Sequence, residues 1–237
     1  MDVYWSTVYP MEVYADYHML YKEPRPLIAD LVPERGADNP HDFFACPAWH
    51  QHAKNTFVVP NALHANVAIR PDGFAPLDDR SKVSAQLFSY MTPTRKKYRT
   101  IMFDHRMLFF SERPVTMSSY PAFMHRAEAQ RKLCYVPASY DISRWLRPLQ
   151  GQYEVYEDVQ SVRIAEDDPL YYVKFETKEK IRLRRFTMTE ELQGIAHGCV
   201  HMKLFKPQQS LDKVYEAFES SKLPGRTLKL IKENLLE

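Results

Sequence analysis

The most constraining feature of this chain is a change of period near its end. Over "DPLYYVKFETKEKIRLRRFTM", 168–188, Tyr171, Val173 and Phe175 alternate with Tyr172, Lys174 and Glu176, then Ile181 and Leu183 with Arg182 and Arg184. A period of two puts one set against a core and the other toward solvent. The stretch therefore predicts a β-hairpin turning at 177–179, with 152–167 supplying the strand before it. Beyond it the period lengthens to about 3.6, the signature of helix. "TMTEELQGIAHGCVHMKLF" opens with Thr187 and Glu190 at capping-box spacing. Its apolar residues Leu192, Ile195, Ala196, Cys199 and Met202 form one stripe. "SLDKVYEAFESS" repeats the pattern behind a Ser210 cap, with Leu211, Val214, Tyr215 and Phe218, and a short basic helix follows Pro224 and Gly225.

Upstream the signals are short and β-like. "NTFVVPN" (55–61), "HANVAIRPDG" (64–73, closing in a turn at Pro71, Asp72 and Gly73), "AQLFSYM" (85–91) and "YRTIMFDHRMLFFSE" (98–112) predict strands. The last has Ile101, Phe103 and His105 on one face and Met102, Asp104 and Arg106 on the other. "SYPAFMHRAEAQRKLC" (119–134) predicts a short helix, and 22–42 is extended and punctuated by proline. The expected fold class is α+β, a mainly antiparallel β-sheet domain with a helical C-terminal subregion. Three parts follow: an extended N-terminal arm (1–42), a β-rich core (43–187) and C-terminal helices packed on it (188–237).

Composition narrows the function classes. With six glycines against 17 prolines, the chain is poorly supplied for loops whose amides approach a phosphate. Walker, G-x-G-x-x-G, G-x-S-x-G and H-E-x-x-H motifs are absent, which argues against the common enzyme classes. Cys46, Cys134 and Cys199 are too few and too scattered for a disulfide scaffold. The first residues lack a basic leader with an apolar core, and no apolar run is long enough to span a membrane. A cytoplasmic setting without membrane association is expected, and no cofactor is required.

Two further stretches, "CPAWHQHAKNTFVV" (46–59) and "YDISRWLRPL" (140–149), together with "IRLRRFTMTEEL" and "LIKENLLE", resemble a group of uncharacterised proteins encoded by tailed bacteriophages. The likeness runs from about residue 43. Where that group has Gly-Lys and Phe, this chain has Ser143, Arg144 and Leu146. The resemblance brings no activity and no site residues. It implies a location in a host cytoplasm or a virion, with other phage proteins or a host protein as partners. On its own residues, "YDISRWLRP" reads as a core anchor: Asp141 caps a turn, Ile142, Trp145 and Leu146 point inward, and Arg144 and Arg147 face out.

Three constellations could carry function. The first is a metal set. In "HGCVH", His197 and His201 share a helical face, whereas Cys199 is turned roughly 200° from each. In "CPAWHQH", His50 and His52 share a face if the backbone is extended, Cys46 and His50 if it is helical. A zinc site of Cys46 or His52 with His197 and His201 needs an approach that no sequence feature requires, so no metal is assigned. The second is Asp167 or Asp168 followed by Glu176 and Lys178, the order of carboxylates and lysine in many Mg²⁺-dependent nucleases. The third is "TPTRKKYRTIMF" (92–103), where Arg95, Lys96, Lys97 and Arg99 surround Tyr98. Cations with an interleaved aromatic suit nucleic acid or an acidic partner. The basic run continues through Arg113, Arg126, Arg131 and Lys132, and Arg182, Arg184 and Arg185 could join one patch. Net charge is only +2 but segregated: 95–147 carries eleven Lys or Arg against four Asp or Glu, while 151–176 carries two against seven. The leading expectation is a non-enzymatic phage protein acting by protein binding, as a virion or assembly component or a host-factor binder. The alternatives are nucleic-acid binding or processing through 95–132, and a metalloenzyme.

Overall fold

A computed structural model describes residues 1–8, 21–32, 43–91, 96–205 and 208–236. In chain order the elements are β1 (Asp2–Thr7), β2 (Arg25–Pro26), α1 (Leu27–Leu31), α2 (Pro47–Ala53), β3 (Thr56–Pro60), β4 (Ala65–Arg70), β5 (Gly73–Pro76) and α3 (Lys82–Ala85). Next come β6 (Phe88–Met91), β7 (Tyr98–Phe103), β8 (Met107–Phe110), β9 (Thr116–Pro121), α4 (Glu128–Lys132), β10 (Cys134–Tyr135), β11 (Ala138–Asp141) and β12 (Gly151–Tyr156). The chain continues through β13 (Ser161–Ile164), β14 (Pro169–Phe175), β15 (Arg182–Arg185), α5 (Glu190–Phe205), α6 (Leu211–Ser220) and α7 (Leu223–Glu233). The fold is α+β. Among the described residues its strands form four sheets, ordered β15-β1-β8, β10-β12-β7-β6, β11-β9-β14-β3-β2 and β13-β4-β5. Every pairing is antiparallel except β1 with β15.

The 168–188 stretch is not a hairpin. Strand β14 runs between β3 and β9, and β15 pairs with β1 instead. Alternation fixes which face a residue shows, not which strand lies beside it. Tyr171, Val173 and Phe175 enter the main core, while Tyr172 enters a second, smaller core under α1 with Leu27, Leu31, Val58 and Ala122. Both faces of β14 are thus covered. Between β14 and β15 the chain crosses from one sheet to another, held by Asn55. Its amide donates to Thr177 O (3.0 Å) and Glu179 O (2.7 Å), and its Oδ1 accepts from the Ile181 N–H (3.1 Å). As expected, 152–167 supplies strand structure before β14, as two strands: β12, which pairs with β7 and β10, and β13, which pairs with β4.

Other expectations shift in the same way. The single strand of 98–112 breaks at 104–106 into β7 and β8, which belong to different sheets. Most of 119–134 is not helical: β9 runs to Pro121 and only Glu128–Lys132 coils. The cap of α5 is Thr189, whose hydroxyl accepts from the Leu192 N–H (3.3 Å), while the Thr187 N–H is spent on Asn234 O. Pro224 and Gly225 lie inside the first turn of α7, where a missing proline N–H costs nothing. Where an arm was expected, Val3, Tyr4 and Trp5 of β1 are core residues. The rest of that segment falls partly at 9–20 and 33–42, outside the described residues.

The C-terminal helices close the main core with Leu192, Ala196, Cys199, Val214, Phe218 and Ile231. Ser210 caps α6 through the Lys213 N–H (3.5 Å). The "YDISRWLRP" anchor forms as a side-chain-capped turn and not as helix. Asp141 Oδ1 accepts from Ser143 N–H (2.8 Å) and Oγ–H (2.7 Å), and Ile142, Trp145 and Leu146 are buried. Arg144 faces out, paired with Glu219 at 2.6 Å. Arg147 does not face out; it is half-buried, with its guanidinium 4.9 Å from the Trp145 ring centroid.

Candidate functional site

One cleft of about 640 Å³ collects side chains from four parts of the chain. Strands β7 and β12 place Tyr98 and Tyr156 opposite each other, with ring centroids 4.7 Å apart. The segment after β9 contributes Phe123, His125 and Arg126. Helix α4 contributes Gln130, Arg131 and Lys132, and β10 contributes Cys134. Phe123 and Tyr156 are each 57% exposed, so part of each ring is accessible to a ligand even though Tyr156 packs on Tyr98 and Phe123 meets the Tyr172 ring edge-on. Lys132 is engaged with Glu128 (2.9 Å) and Ser161 O (3.3 Å). That hydrogen bond from Lys132 holds the Glu128 carboxyl below its ordinary pKa. Arg126 and Arg131 are exposed and make no ion pair among the described residues.

Behind the cleft, a hydrogen-bonded chain fixes the Phe123 segment. Tyr172 Oη accepts from the Met124 N–H (3.2 Å) and lies 2.5 Å from His125 Nδ1. His125 Nε2 lies 2.9 Å from Asp30 Oδ2, and Arg25 donates to the other Asp30 oxygen. A carboxylate can only accept, so Nε2 carries a proton toward Asp30, while Nδ1 is occupied by the Tyr172 hydroxyl. Both ring nitrogens are therefore committed. His125 serves as a brace and has no nitrogen left to act as a base toward a bound molecule or toward Cys134.

The basic motif divides. Arg95 lies outside the described residues. Lys96 and Lys97 are exposed in the turn before β7, and Tyr98 reaches the cleft. Arg99 is turned inward, donating to Glu157 O (3.1 Å) and Val159 O, and so holds a loop instead of facing a ligand. The single patch does not assemble. Arg113 pairs with Glu179, Arg182 with Asp2 (2.8 Å), and Arg185 covers the Tyr21 ring at 3.3 Å. Arg182, Arg184 and Arg185 line a different cavity with Trp5 and Tyr21.

The two other constellations come apart. "CPAWHQH" is helix α2 behind an extended Cys46, and His50 points back to Phe44 O (2.6 Å). On α5, Cys199 is buried while His201 is exposed; burial lowers the pKa of His197, helped by Arg106 and His201. No three His, Cys, Asp or Glu converge among the described residues. Asp167 and Asp168 stand at one end of β14 and Glu176 at the other. Seven strand residues at ~3.3 Å each separate them by roughly 23 Å, too far to share an ion. Asp167 is occupied by Lys22 (3.3 Å) and Arg25 (3.4 Å), and Asp168 accepts from the Ala165 N–H (2.7 Å).

Sequence reasoning named Tyr98, Arg126, Arg131 and Lys132 but missed Phe123 and Tyr156. A tyrosine opposite Tyr98 in a strand whose other side holds Tyr153 and Val155 was the available signal. The chain matches no known protein family, no curated protein and no solved structure. No helix of the described residues is long and apolar enough to cross a membrane.

Proposed function

We propose that this is a binding protein without catalytic activity, and that its aromatic and basic cleft takes a segment of single-stranded nucleic acid. The observation that carries the reading is the meeting of largely exposed rings (Phe123, Tyr156) and exposed guanidiniums without an ion pair among the described residues (Arg126, Arg131) on one cleft. Bases stack on aromatic faces whatever their sequence, and arginines track the phosphates between them. A duplex offers no free base face, so single strands are preferred. The commitment of both His125 nitrogens supports binding over chemistry. In the phage setting implied by the sequence, the protein would act in the host cytoplasm or in a virion, beside other phage proteins or a host protein.

Labelled oligo-dT and oligo-rU, titrated across salt concentrations, test the reading. Each phosphate contact adds about 0.7 to the slope of log K against log salt for single strands. Replacing Arg126 and Arg131 by Ala should therefore flatten the slope by about 1.4. Tyr156→Ala should weaken binding by about 1–3 kcal/mol with the slope unchanged, the worth of one stacked base. Equal affinity for duplex, or no change in either variant, would refute the assignment.

A further inference from the structure

A second, smaller cavity of about 240 Å³ lies between two sheet edges, with Tyr135, Val136, Pro137 and Ala138 on one side and Arg147 to Gln150 and Gln152 on the other. Both β10 and β11, the strands flanking its rim, are terminal strands of their sheets. Arg147 is the only charged residue lining it. Its guanidinium stacks on the Trp145 ring and reaches only one side-chain acceptor among the described residues, Gln150 Oε1 at 3.4 Å. No carboxylate pairs with it there. The two titratable groups closest in its electrostatic surroundings supply no counter-charge either. Burial pushes the Cys199 thiol up to about 12 and raises the Tyr140 phenol, so both stay neutral. The Tyr140 hydroxyl is spent donating to Arg147 O (2.9 Å).

A partly desolvated cation without an anion is costly, and burial lowers the Arg147 pKa accordingly. Arginine nevertheless stays charged at any working pH, because its intrinsic pKa is so high. The planar fork matches a carboxylate in two parallel bonds. Gln152 also lines the cavity, and its side-chain amide is a further donor for an oxygen acid. The cavity is smaller than the ~300 Å³ at which pockets begin to hold drug-sized ligands, so it suits a group the size of a side chain. Its walls of proline, valine and alanine match a short aliphatic stem.

We infer that the Arg147 cavity is a receptor for a carboxylate on a short aliphatic stem, either a small organic acid or an aspartate or glutamate side chain of a partner polypeptide. The site is separate from the nucleic-acid cleft, so one assignment can fail without the other.

The test is NMR observation of the Arg147 Nε–H resonance in the intact protein, titrated with acetate, glutarate, an acidic hexapeptide and inorganic phosphate. Acetate and glutarate should shift it saturably. Arg147→Lys keeps the charge and loses the fork; followed through the Trp145 indole N–H, it should bind glutarate at least about tenfold more weakly while oligonucleotide binding is unchanged. Saturation by the peptide at lower concentration than glutarate assigns the carboxylate to a partner chain, and the reverse order assigns it to a free acid. The inference is overturned if no carboxylate gives a saturable shift, if Arg147→Lys binds as the parent does, or if phosphate saturates first. The parent titration stands even if the variant folds poorly.

Discussion

Two buried tyrosines of the β-sheets should respond in opposite directions to loss of a single oxygen. Tyr153 is 2% exposed, its hydroxyl has no hydrogen-bond partner among the described residues, and burial holds its pKa well above the usual phenol value. A buried hydroxyl without a partner costs about 1–3 kcal/mol on mutational scales. Tyr153→Phe recovers that and forfeits a few dispersion contacts of ~0.1–0.2 kcal/mol each, for a net gain of about 1 kcal/mol. Tyr172 is equally buried, but its hydroxyl serves Met124 N–H and His125 Nδ1. Tyr172→Phe leaves both without a partner, at ~1–3 kcal/mol each, so a loss of roughly 2–6 kcal/mol follows. Urea unfolding followed by far-UV circular dichroism, with m held constant, measures both. For a chain of this length each kcal/mol moves Tm by about 2–4 °C, giving a rise of about 3 °C for one variant and a fall of roughly 4–24 °C for the other. Equal destabilisation by the two substitutions would refute the assignment of hydrogen bonds, because area and volume lost are the same in both.

Acid should expose a third group. Burial lowers the His105 pKa from 6.5 to about 4, offset only in part by its own backbone, and neither ring nitrogen has a full hydrogen bond among the described residues. The unfolded chain therefore takes a proton that the folded one refuses between those values, and stability falls as pH drops through that window, by up to roughly 3 kcal/mol. His105→Phe should remove that part of the slope, and parallel stability curves for the two proteins from pH 6.5 to 4 would contradict it. The cysteines give a separate check. Cys46 and Cys134 are exposed and Cys199 is buried with its pKa pushed up to about 12. A thiol reagent should modify two groups in the native protein and the third only on unfolding, with bound oligonucleotide slowing Cys134. Fast reaction of all three would disprove the burial of α5 against the core.

Faces were legible in the sequence and neighbours were not. The stripe of Leu192, Ala196 and Cys199 on α5, and Val214, Tyr215 and Phe218 on α6, could be read because a helix makes its own hydrogen bonds and needs only a covered side. Strand alternation likewise identified the inward residues of β14. It could not show that β14 pairs with a strand more than a hundred residues earlier, because register and partner are set by tertiary packing. The same limit applies to the cleft. Its cations were visible as a run of charge, but Arg99 and Arg113 are spent on partners about sixty residues away in the chain, while Arg126 and Arg131 make no ion pair among the described residues. Nothing in letter order separates those fates. Arg147 was misplaced for a related reason: an i, i+3 turn was read as helix, and the capped turn that formed swung it over Trp145.

Strand β1 sets a clock on synthesis. Its partners are β8 and β15, so Tyr4 must meet Phe110 and Asp2 must meet Arg182. At ~5–20 residues per second, a ribosome needs roughly 10–40 s to deliver the second partner after making the first strand. Through that interval Val3 and Trp5 belong to a sheet that does not yet exist. The β15-β1-β8 sheet is thus the last of the described sheets that the nascent chain can complete, because β15 is the last strand to emerge.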